Sequence, residues 1–298
     1  MKTDLNRRDF LKAGGAAVAV AALDPAGVTP GHTAAAANRR LLRKGVSLGM
    51  IQGNQSILEK FQLLKELGFD GIELNYPNGP DKAEIIKARD ATGIKIGNII
   101  DSIHWDKRLT DPSPEIRAQG LAGLKQALHD AKDLGCPAVL LVAGRVMKDV
   151  SYADAYTRSQ EEIRKAIPLA KELGVRIAIE NVWNDFLLSP LEAARFVDEL
   201  NSPWVGWHFD VGNVVRYGWP EHWIRILNKR IVTLHIKEYS RGVKGFNVEL
   251  LEGDNDWPAV TKALDEVGFH GWSIAEIPGG GVERLKNIAE RMDRIFNG

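Results

Sequence analysis

The chain has 298 residues, of which 44% are hydrophobic and 26% are charged, a composition typical of a globular protein with one large domain or two small ones. Lysine and arginine together number 39, and so do aspartate and glutamate, so the chain has no net charge to attract nucleic acid or an anionic membrane surface. The single cysteine, Cys136, excludes an internal disulfide framework and a cysteine-rich zinc site.

The N-terminal segment has the features of an export signal. It begins MKTDLNRRDFLK, with paired Arg7 and Arg8, continues through small and apolar residues, and reaches the alanine-rich stretch HTAAAANRR. The apolar run is too short to cross a bilayer. The segment resembles a twin-arginine signal, the kind that carries folded proteins across a membrane. We therefore predict a signal peptide over residues 1–37, a mature chain starting near Asn38, and a periplasmic location without stable membrane association.

After this segment one pattern recurs, in which a helical stretch closes on glycine and a short apolar run follows. Glycine just past a helix is a typical C-cap, and the β-rich run after it indicates a strand. Eight such runs over residues 38–298 predict an α/β fold, a single (β/α)8 TIM barrel. A doubly wound open sheet is the less favoured alternative, because no GxGxxG opens a helix after the first strand. The strand-bearing segments are KGVSLGMI (44–51), LLKELGFDGIEL (63–74), ARDATGIKIGNII (88–100), AKDLGCPAVLLV (131–142), AKELGVRIAIEN (170–181), WVGWHFDVGN (204–213), RIVTLHIKE (230–238) and LDEVGFHGWSIAE (264–276).

Polar residues stand where the predicted strands end. In a parallel barrel the carboxyl ends of all strands meet on one face, and chemistry is found there. Four consecutive strands, the fifth to the eighth, deliver two glutamates, an aspartate and a histidine to this rim. The predicted last inward residues of strands two to eight are Glu73, His104, Gly144–Arg145, Glu180, Asp210, His235 and Glu276.

Three of these side chains are carboxylates, which would repel one another at close range unless a cation lay between them. We therefore predict a divalent metal site formed by Glu180, Asp210, His235 and Glu276. Oxygen-rich ligation with one imidazole suits Mn²⁺, Mg²⁺, Co²⁺ or Fe²⁺, and Zn²⁺ is a further candidate. His208 stands two residues before Asp210 and is interpreted as a packed or supporting histidine one layer deeper.

The residues at these strand ends resemble the xylose-isomerase-like superfamily of barrels, the sugar phosphate isomerase/epimerase group that includes the ketose 3-epimerases. The resemblance covers nearly all of residues 44–298 and implies the same barrel and one divalent metal ion. In ketose 3-epimerases the metal-bound glutamates of strands five and eight are also the acid/base pair, which assigns catalysis to Glu180 and Glu276. The matching motifs are IEN at 180, FDVGN at 210, HIKE at 235, residues 250–272 and IAEIP at 276.

The resemblance extends unevenly to the substrate. Arg241 stands where family epimerases have an arginine, but Asn213 replaces their histidine, a departure from the ketohexose 3-epimerase pattern. His104 and Trp105 are expected to offer a hydrogen bond and a stacking face to a sugar. The predicted substrate-binding set is His104, Trp105, Asn213, Lys237, Arg241 and Glu73.

The favoured function is a metal-dependent sugar isomerase or epimerase that abstracts a proton beside a carbonyl. The export signal favours an unphosphorylated carbohydrate. A lyase or hydratase acting on 3-keto-glycosides by the same chemistry is an alternative, and so is a non-catalytic periplasmic sugar-binding barrel. A phosphodiester hydrolase related to endonuclease IV is disfavoured, because strand four offers Gly144 and Arg145 where histidine ligands would be needed. No nucleic-acid partner is expected, and members of the superfamily are often dimers or tetramers, so a homo-oligomer is allowed.

Overall fold

A computed structural model describes residues 42–242 and 244–297, which alternate between eight strands and eight α-helices. The predicted signal peptide and the start of the mature chain at Asn38 lie outside these residues. The strands are β1 Arg43–Ser47, β2 Gly71–Tyr76, β3 Lys95–Asp101, β4 Ala138–Leu141, β5 Arg176–Glu180, β6 Val205–Asp210, β7 Ile231–Ile236 and β8 Trp272–Ala275. The helices are α1 Ile57–Glu66, α2 Lys82–Thr92, α3 Pro114–Leu134, α4 Tyr152–Leu173, α5 Pro190–Leu200, α6 Pro220–Leu227, α7 Trp257–Glu266 and α8 Val282–Asn297.

The strands form one closed barrel. Each strand pairs in parallel with the next in sequence, and β8 pairs with β1 to complete the ring. Strands β4, β6 and β8 are buried at every position, as expected for strands covered by helices outside and by side chains inside. The (β/α)8 prediction is therefore confirmed, and the doubly wound alternative is wrong because its sheet would have two open edges.

Local sequence signals set the ends of the helices. Ser56 begins α1 with a capping box, in which its hydroxyl accepts from the Glu59 amide and the Glu59 carboxylate accepts from the Ser56 amide. Gly135 and Gly174 end α3 and α4 with φ angles of 70° and 69°, in the left-handed region that suits glycine. The repeated helix–glycine–strand pattern is thus a set of C-caps that turn the chain back into the barrel.

The floor of the barrel is filled by Trp272 of β8. A Cβ atom added to Gly71 of β2 or Gly97 of β3 would lie 2.5 or 2.6 Å from the Trp272 ring. The indole therefore lies against these two glycines inside the barrel. This packing closes the barrel at the end opposite the polar rim.

Three strands end well away from the residues that the sequence pattern predicts. Strand β4 ends at Leu141, before the predicted Gly144–Arg145. Strand β2 continues past Glu73 to Tyr76, so Glu73 lies within the strand and is fully buried. Strand β3 ends at Asp101, and His104 lies in the turn that follows. In these strands the alternation of apolar and polar residues does not change where the hydrogen-bonded pairing stops, so the sequence pattern misplaces the end of the strand. Among the described residues no helix is both long and apolar enough to cross a membrane.

Candidate metal centre

Four side chains meet at the carboxyl end of the barrel. Glu180 and Asp210 end β5 and β6, His235 lies near the end of β7, and Glu276 follows β8. The Nδ1 atom of His235 lies 3.1 Å from an oxygen of Glu180, 3.1 Å from an oxygen of Glu276 and 3.8 Å from Oδ2 of Asp210. One ligand atom from each residue lies within 4.8 Å of all the others. The structure thus brings together the four residues that the sequence pattern assigned to a metal.

The orientation of His235 is set from below by Glu73. The Nε2 atom of His235 lies 3.0 and 3.2 Å from the two carboxylate oxygens of Glu73, and Asn98 donates to the same carboxylate at 2.7 Å. Burial lowers the pKa of His235, but the carboxylates of Glu73, Glu276 and Glu180 raise it by more. A metal ion at Nδ1, which faces the three rim carboxylates, would take the place of the proton there while Nε2–H donates to Glu73. Glu73 has no exposed surface, so the structure places it under His235 rather than at a substrate-accessible position.

Asn181 ties the ends of β5 and β6 together. Its side-chain amide donates to the carbonyl of Asp210, and its side-chain oxygen accepts from the Asp210 amide and from the Trp207 indole. Asn213 joins the same hydrogen-bond network. Its side-chain amide nitrogen donates to the Asn181 backbone carbonyl, and its backbone amide donates to Oδ1 of Asp210. Asn213 therefore holds the backbone beside the candidate ligands, and one of the two N–H donors of its side-chain amide is already used.

The centre concentrates negative charge in a buried place. Burial raises the pKa of Glu180 to about 7 and that of Asp210 to about 6, so ionising either one is costly. Burial opposes ionisation of Glu276 too, but the charges of His235 and Lys237 outweigh this effect and lower the pKa of Glu276.

Lys237 stands beside these carboxylates. Burial lowers the pKa of Lys237, yet the carboxylates of Asp210 and Glu276 raise it by more. Lys237 is thus a charged partner, with Nζ 2.8 Å from Glu276 and 3.4 Å from Asp210.

The residues present fit a divalent cation. The Oδ2 atom of Asp210 is buried and has no hydrogen-bond donor, because Lys237 lies 3.4 Å away without hydrogen-bond geometry. A buried carboxylate oxygen without a hydrogen-bond donor is costly, and a metal ion would satisfy it. Three carboxylates and one imidazole match the donor set of the hard and borderline divalent ions. The four ligands differ in access, since the side chain of Glu276 is 40% exposed and that of Glu180 only 7%.

His208 lies beside the centre and one layer deeper. Its Nδ1 is 2.6 Å from the Thr233 hydroxyl, its ring packs edge-on against His235 at 4.0 Å, and its buried Nε2 has no hydrogen-bond partner. Burial lowers its pKa well below the ordinary range, so the ring is neutral. The packing agrees with a supporting histidine beneath the ligands.

Beside the centre, on the β2–β4 side, opens a cavity of about 220 Å³, here called the inner cavity. Its lining includes Glu180, His235, Glu276, His104 and Trp105. The Nδ1 of His104 accepts from the Val142 amide at 3.2 Å, which leaves Nε2–H as the donor of the ring, and burial lowers the His104 pKa to about 3. Thus His104 stays neutral, and Trp105, 43% exposed, lies next to it at the mouth.

On the opposite side of Glu276 lies a second cavity of about 320 Å³, here called the outer cavity. Lys237, Phe246, Asn247 and Pro278 line it together with Glu276. The sequence reasoning missed Phe246, which sits in the long connection between β7 and α7 where neither helical nor strand periodicity gives a signal.

Arg241 makes contacts within the protein that the sequence pattern does not predict, and its substrate-binding role stays a prediction. Its guanidinium donates to the carbonyls of Val215 and Gly218 at 2.8 Å each and lies over the Trp219 ring. Neither Arg241 nor Asn213 lines the inner or the outer cavity. The structure uses Arg241 to join the loops after β6 and β7.

A cavity of about 700 Å³ lies at the other end of the barrel, where Arg43, Asp70, Arg176, His270 and Trp272 line it. These residues stand at the amino ends of strands or just before them, and barrel enzymes place their chemistry at the carboxyl ends. The smaller cavities around Glu276 are therefore the better functional candidates.

A family model for xylose isomerase-like TIM barrels matches residues 61–297, and a model for the twin-arginine translocation signal matches residues 4–23. The chain belongs to the xylose isomerase-like TIM barrel family. The N-terminal match confirms the twin-arginine signal, although the predicted boundary at residue 37 stays a prediction.

The relatives within this family are sugar epimerases. The chain is 25% identical over 272 residues to L-ribulose-5-phosphate 3-epimerase UlaE of Escherichia coli, covering 83% of this chain and 95% of that one. A crystal structure of a D-tagatose 3-epimerase-like protein superposes with a TM-score of 0.74 at 18% identity, covering 86% and 97% of the two chains. The 3-keto-D-glucoside 4-epimerase YcjR of E. coli gives a TM-score of 0.70 at 17% identity, covering 86% and 100%. The two structures establish the shared fold.

Proposed function

We propose that this protein is an exported, divalent-metal-dependent isomerase or epimerase that moves a proton beside the carbonyl of an unphosphorylated sugar. The observation that carries the proposal is the position of Glu180 and Glu276. They come from strands β5 and β8, which lie apart in the ring, yet each reaches to 3.1 Å from the same nitrogen of His235. Two carboxylates that approach one centre from two sides suit removal and return of a proton on opposite faces.

The roles follow from these positions. When bound by Glu180, Asp210, His235 and Glu276, a divalent cation supplies Lewis acidity that makes the C–H bond beside a carbonyl more acidic. Glu180 and Glu276 act as the base and acid, one on each face of the reacting carbon. His104 offers a neutral N–H to a substrate oxygen, and Lys237 holds Glu276 in place through its 2.8 Å ion pair.

The cavity charges favour a neutral sugar over a sugar phosphate. Among the residues that line the inner and outer cavities, Lys237 is the one lysine or arginine, and Glu276 and Asp210 already neutralise it. A phosphoryl group would find no free cation there, whereas sugar phosphates are usually held by dedicated basic groups or helix N-termini. This supports an unphosphorylated carbohydrate, although the curated relative UlaE is named for a phosphorylated one.

Two other activities share the site. A lyase or hydratase on 3-keto-glycosides needs only the first proton abstraction, and the structural relative YcjR is named for a 3-keto-glucoside. A non-catalytic sugar-binding barrel is disfavoured because a protein without turnover has no need to keep two glutamates, an aspartate and a histidine converged within 4.8 Å.

The test is solvent-hydrogen exchange followed by NMR. The Mn²⁺-loaded mature protein in D₂O should introduce deuterium into one member of a panel of free ketoses, aldoses and 3-keto-glycosides, and the new resonances distinguish an epimer from an elimination product. Glu180→Gln and Glu276→Gln should each lower exchange by roughly 100-fold or more, with metal content measured in parallel. Glu252→Gln, on the surface, is the control. Full exchange in either active-site variant would refute the acid/base assignment.

We further propose a periplasmic location, on the strength of the twin-arginine signal at residues 4–23. Replacing Arg7 and Arg8 by lysine should retain the protein in the cytoplasmic fraction, and unchanged export would exclude this route.

A further inference from the structure

The inner and outer cavities lie on either side of one residue, Glu276, which lines both. The inner cavity contains Glu180 and His104 and is where a reacting sugar ring would meet the acid/base pair. The outer cavity also has Glu238 in its lining, but that carboxylate accepts from the Leu251 and Asn255 amides and the Trp257 indole. Phe246, Ile277 and Pro278 supply the apolar part of the lining. The mouth of the barrel is thus divided into a reactive compartment and an apolar-walled compartment.

We propose that the substrate is a glycoside with two rings, in which the ring that reacts occupies the inner cavity and the second ring lies in the outer cavity against Phe246. The inference rests on the proposed function, since it assumes that Glu180 and Glu276 act on the ring in the inner cavity. It adds the substrate class, a keto-glycoside whose glycosidic oxygen passes beside Glu276, and it assigns a binding role to Phe246.

The sizes of the two cavities support a ligand of more than one ring. At about 220 Å³ the inner cavity is smaller than the roughly 300–1,000 Å³ of typical ligand sites, and it suits a single sugar ring. A free monosaccharide bound there would leave the larger outer cavity, of about 320 Å³, unused. A second ring linked to the first fills it.

The chemistry of the outer cavity indicates a neutral ring with an apolar face. Phe246 is half-buried and is the aromatic residue that lines the outer cavity. Its ring packs 4.8 Å from the Trp183 ring and 4.9 Å from the Tyr239 ring, so these two side chains support it from behind the lining. Sugar rings present C–H faces that pack on aromatic surfaces. The Lys237 ammonium is 4.9 Å from the Phe246 ring and is neutralised by Glu276, which leaves no free cation for an anionic group.

The wall is held in place before any ligand binds. On either side of Phe246, the Ser240 amide donates to the Gly245 carbonyl and the Asn247 amide donates to the Lys244 carbonyl. The buried Glu238 carboxylate holds the chain that follows, because it accepts from the backbone amides of Leu251 and Asn255 and from the Trp257 indole. Trp183 is fixed as well, because its indole donates to the Asn213 carbonyl at 2.8 Å. A preorganised aromatic wall binds a ring without an additional cost of ordering the loop.

The test compares one-ring and two-ring ligands in matched variants. The ligands are the 3-keto forms of the methyl glucosides, and of maltose, cellobiose and trehalose, with the corresponding unoxidised sugars as unreactive binding probes. Phe246→Ala removes the wall. Trp219→Ala is the control, since Trp219 is an exposed aromatic residue outside both cavities. Deuterium exchange gives KM and kcat for the keto sugars, and calorimetry gives Kd for the unoxidised probes.

We expect the wild type to prefer at least one two-ring ligand, and Phe246→Ala to raise its KM and Kd by about tenfold while changing the methyl glucosides less than about twofold. Trp219→Ala should change neither class. Equal use of one-ring and two-ring ligands by the wild type, or equal losses for both in Phe246→Ala, would overturn the inference.

The outcomes separate this inference from the proposed function. Exchange into free ketoses or methyl glycosides at least as efficient as into every two-ring ligand, with no two-ring ligand affected by Phe246→Ala, would support the proposed chemistry and overturn the two-ring substrate. Phe246-dependent binding of disaccharides without exchange into any ligand would support the second-ring site and overturn the proposed chemistry. Neither binding nor exchange would overturn both.

Discussion

Glu73 acts on the candidate centre through its neighbour. It lies inside β2 with no exposed surface, and its carboxylate contacts His235 Nε2 at 3.0 Å. A carboxylate on the far side of a metal-binding imidazole fixes the tautomer and raises the basicity of the ligating nitrogen. This places the contribution of Glu73 in metal affinity rather than in contact with the sugar.

We predict that Glu73→Gln will weaken Mn²⁺ binding by roughly 10- to 100-fold, because the amide keeps the shape but lowers the basicity of His235. Titration calorimetry or the EPR signal of free Mn²⁺ measures the change. Glu252→Gln, a surface glutamate, is the control. Unchanged affinity in Glu73→Gln would show that Glu73 only fills space beneath the ring.

At the residue scale, the positions of polar residues at the predicted strand ends indicated which four side chains would converge. Glu180, Asp210, His235 and Glu276 could be placed together because residues at the carboxyl ends of parallel strands meet on one face whatever the loops do. The roles of Glu73, Asn213 and Arg241 could not be predicted in this way. They depend on which neighbour takes each polar atom, which the sequence pattern does not contain.

The connection between β7 and α7 depends on one buried carboxylate. Glu238 is 1% exposed, and burial raises its pKa, while the Leu251 amide, the Asn255 amide and the Trp257 indole donate to it. These three bonds hold a long irregular segment to the barrel. Removing the acceptor would leave three donors without a partner.

We predict that Glu238→Ala will lower the free energy of unfolding by roughly 2–4 kcal/mol and will speed hydrogen exchange at the Leu251 and Asn255 amides. Glu252→Ala is the matched control in the same segment, because its 2.8 Å pair with Arg291 is half exposed and is worth about 1 kcal/mol or less. If the two variants unfold alike, Glu238 does not anchor the segment.

At the element scale, the glycine-capped helices and apolar strands were predictable because each signal is local. Gly135 and Gly174, for example, end their helices where the sequence pattern places the caps. The ends of β2, β3 and β4 were not predictable, since a strand ends where its hydrogen-bonded pairing with the neighbouring strand ends. The aromatic wall at Phe246 could not be predicted for a related reason. Phe246 packs on Trp183 and Tyr239, and these three residues follow two different strands, so their contact depends on how the loops fold.

For the whole molecule, a metal ion at the candidate centre would link metal binding to stability. The four candidate ligands lie at or beside the carboxyl ends of β5, β6, β7 and β8, so an ion that they shared would join half of the barrel ring. An ion that binds only the folded chain stabilises it by about 2.7 kcal/mol at a concentration 100 times Kd.

We therefore predict that saturating Mn²⁺ will raise Tm by roughly 5–10 °C over the chelator-treated protein. Asp210→Asn should abolish most of this rise, because it keeps the Oδ1 bond to the Asn213 amide and loses the ligand charge. Scanning calorimetry with and without EDTA measures both. Equal Tm values for the wild type in Mn²⁺ and in EDTA would contradict a metal centre.

The unequal access of the two glutamates has a consequence for the fate of the transferred hydrogen. The side chain of Glu180 is 7% exposed and that of Glu276 is 40% exposed, while Trp272 fills the barrel from below. A hydrogen held by Glu180 under a bound sugar meets little water before it goes back, whereas one held by Glu276 mixes with solvent. The epimer whose hydrogen faces Glu180 should therefore regain its original hydrogen when the proton returns to the same face. The other epimer, whose hydrogen faces Glu276, should take up hydrogen from the solvent.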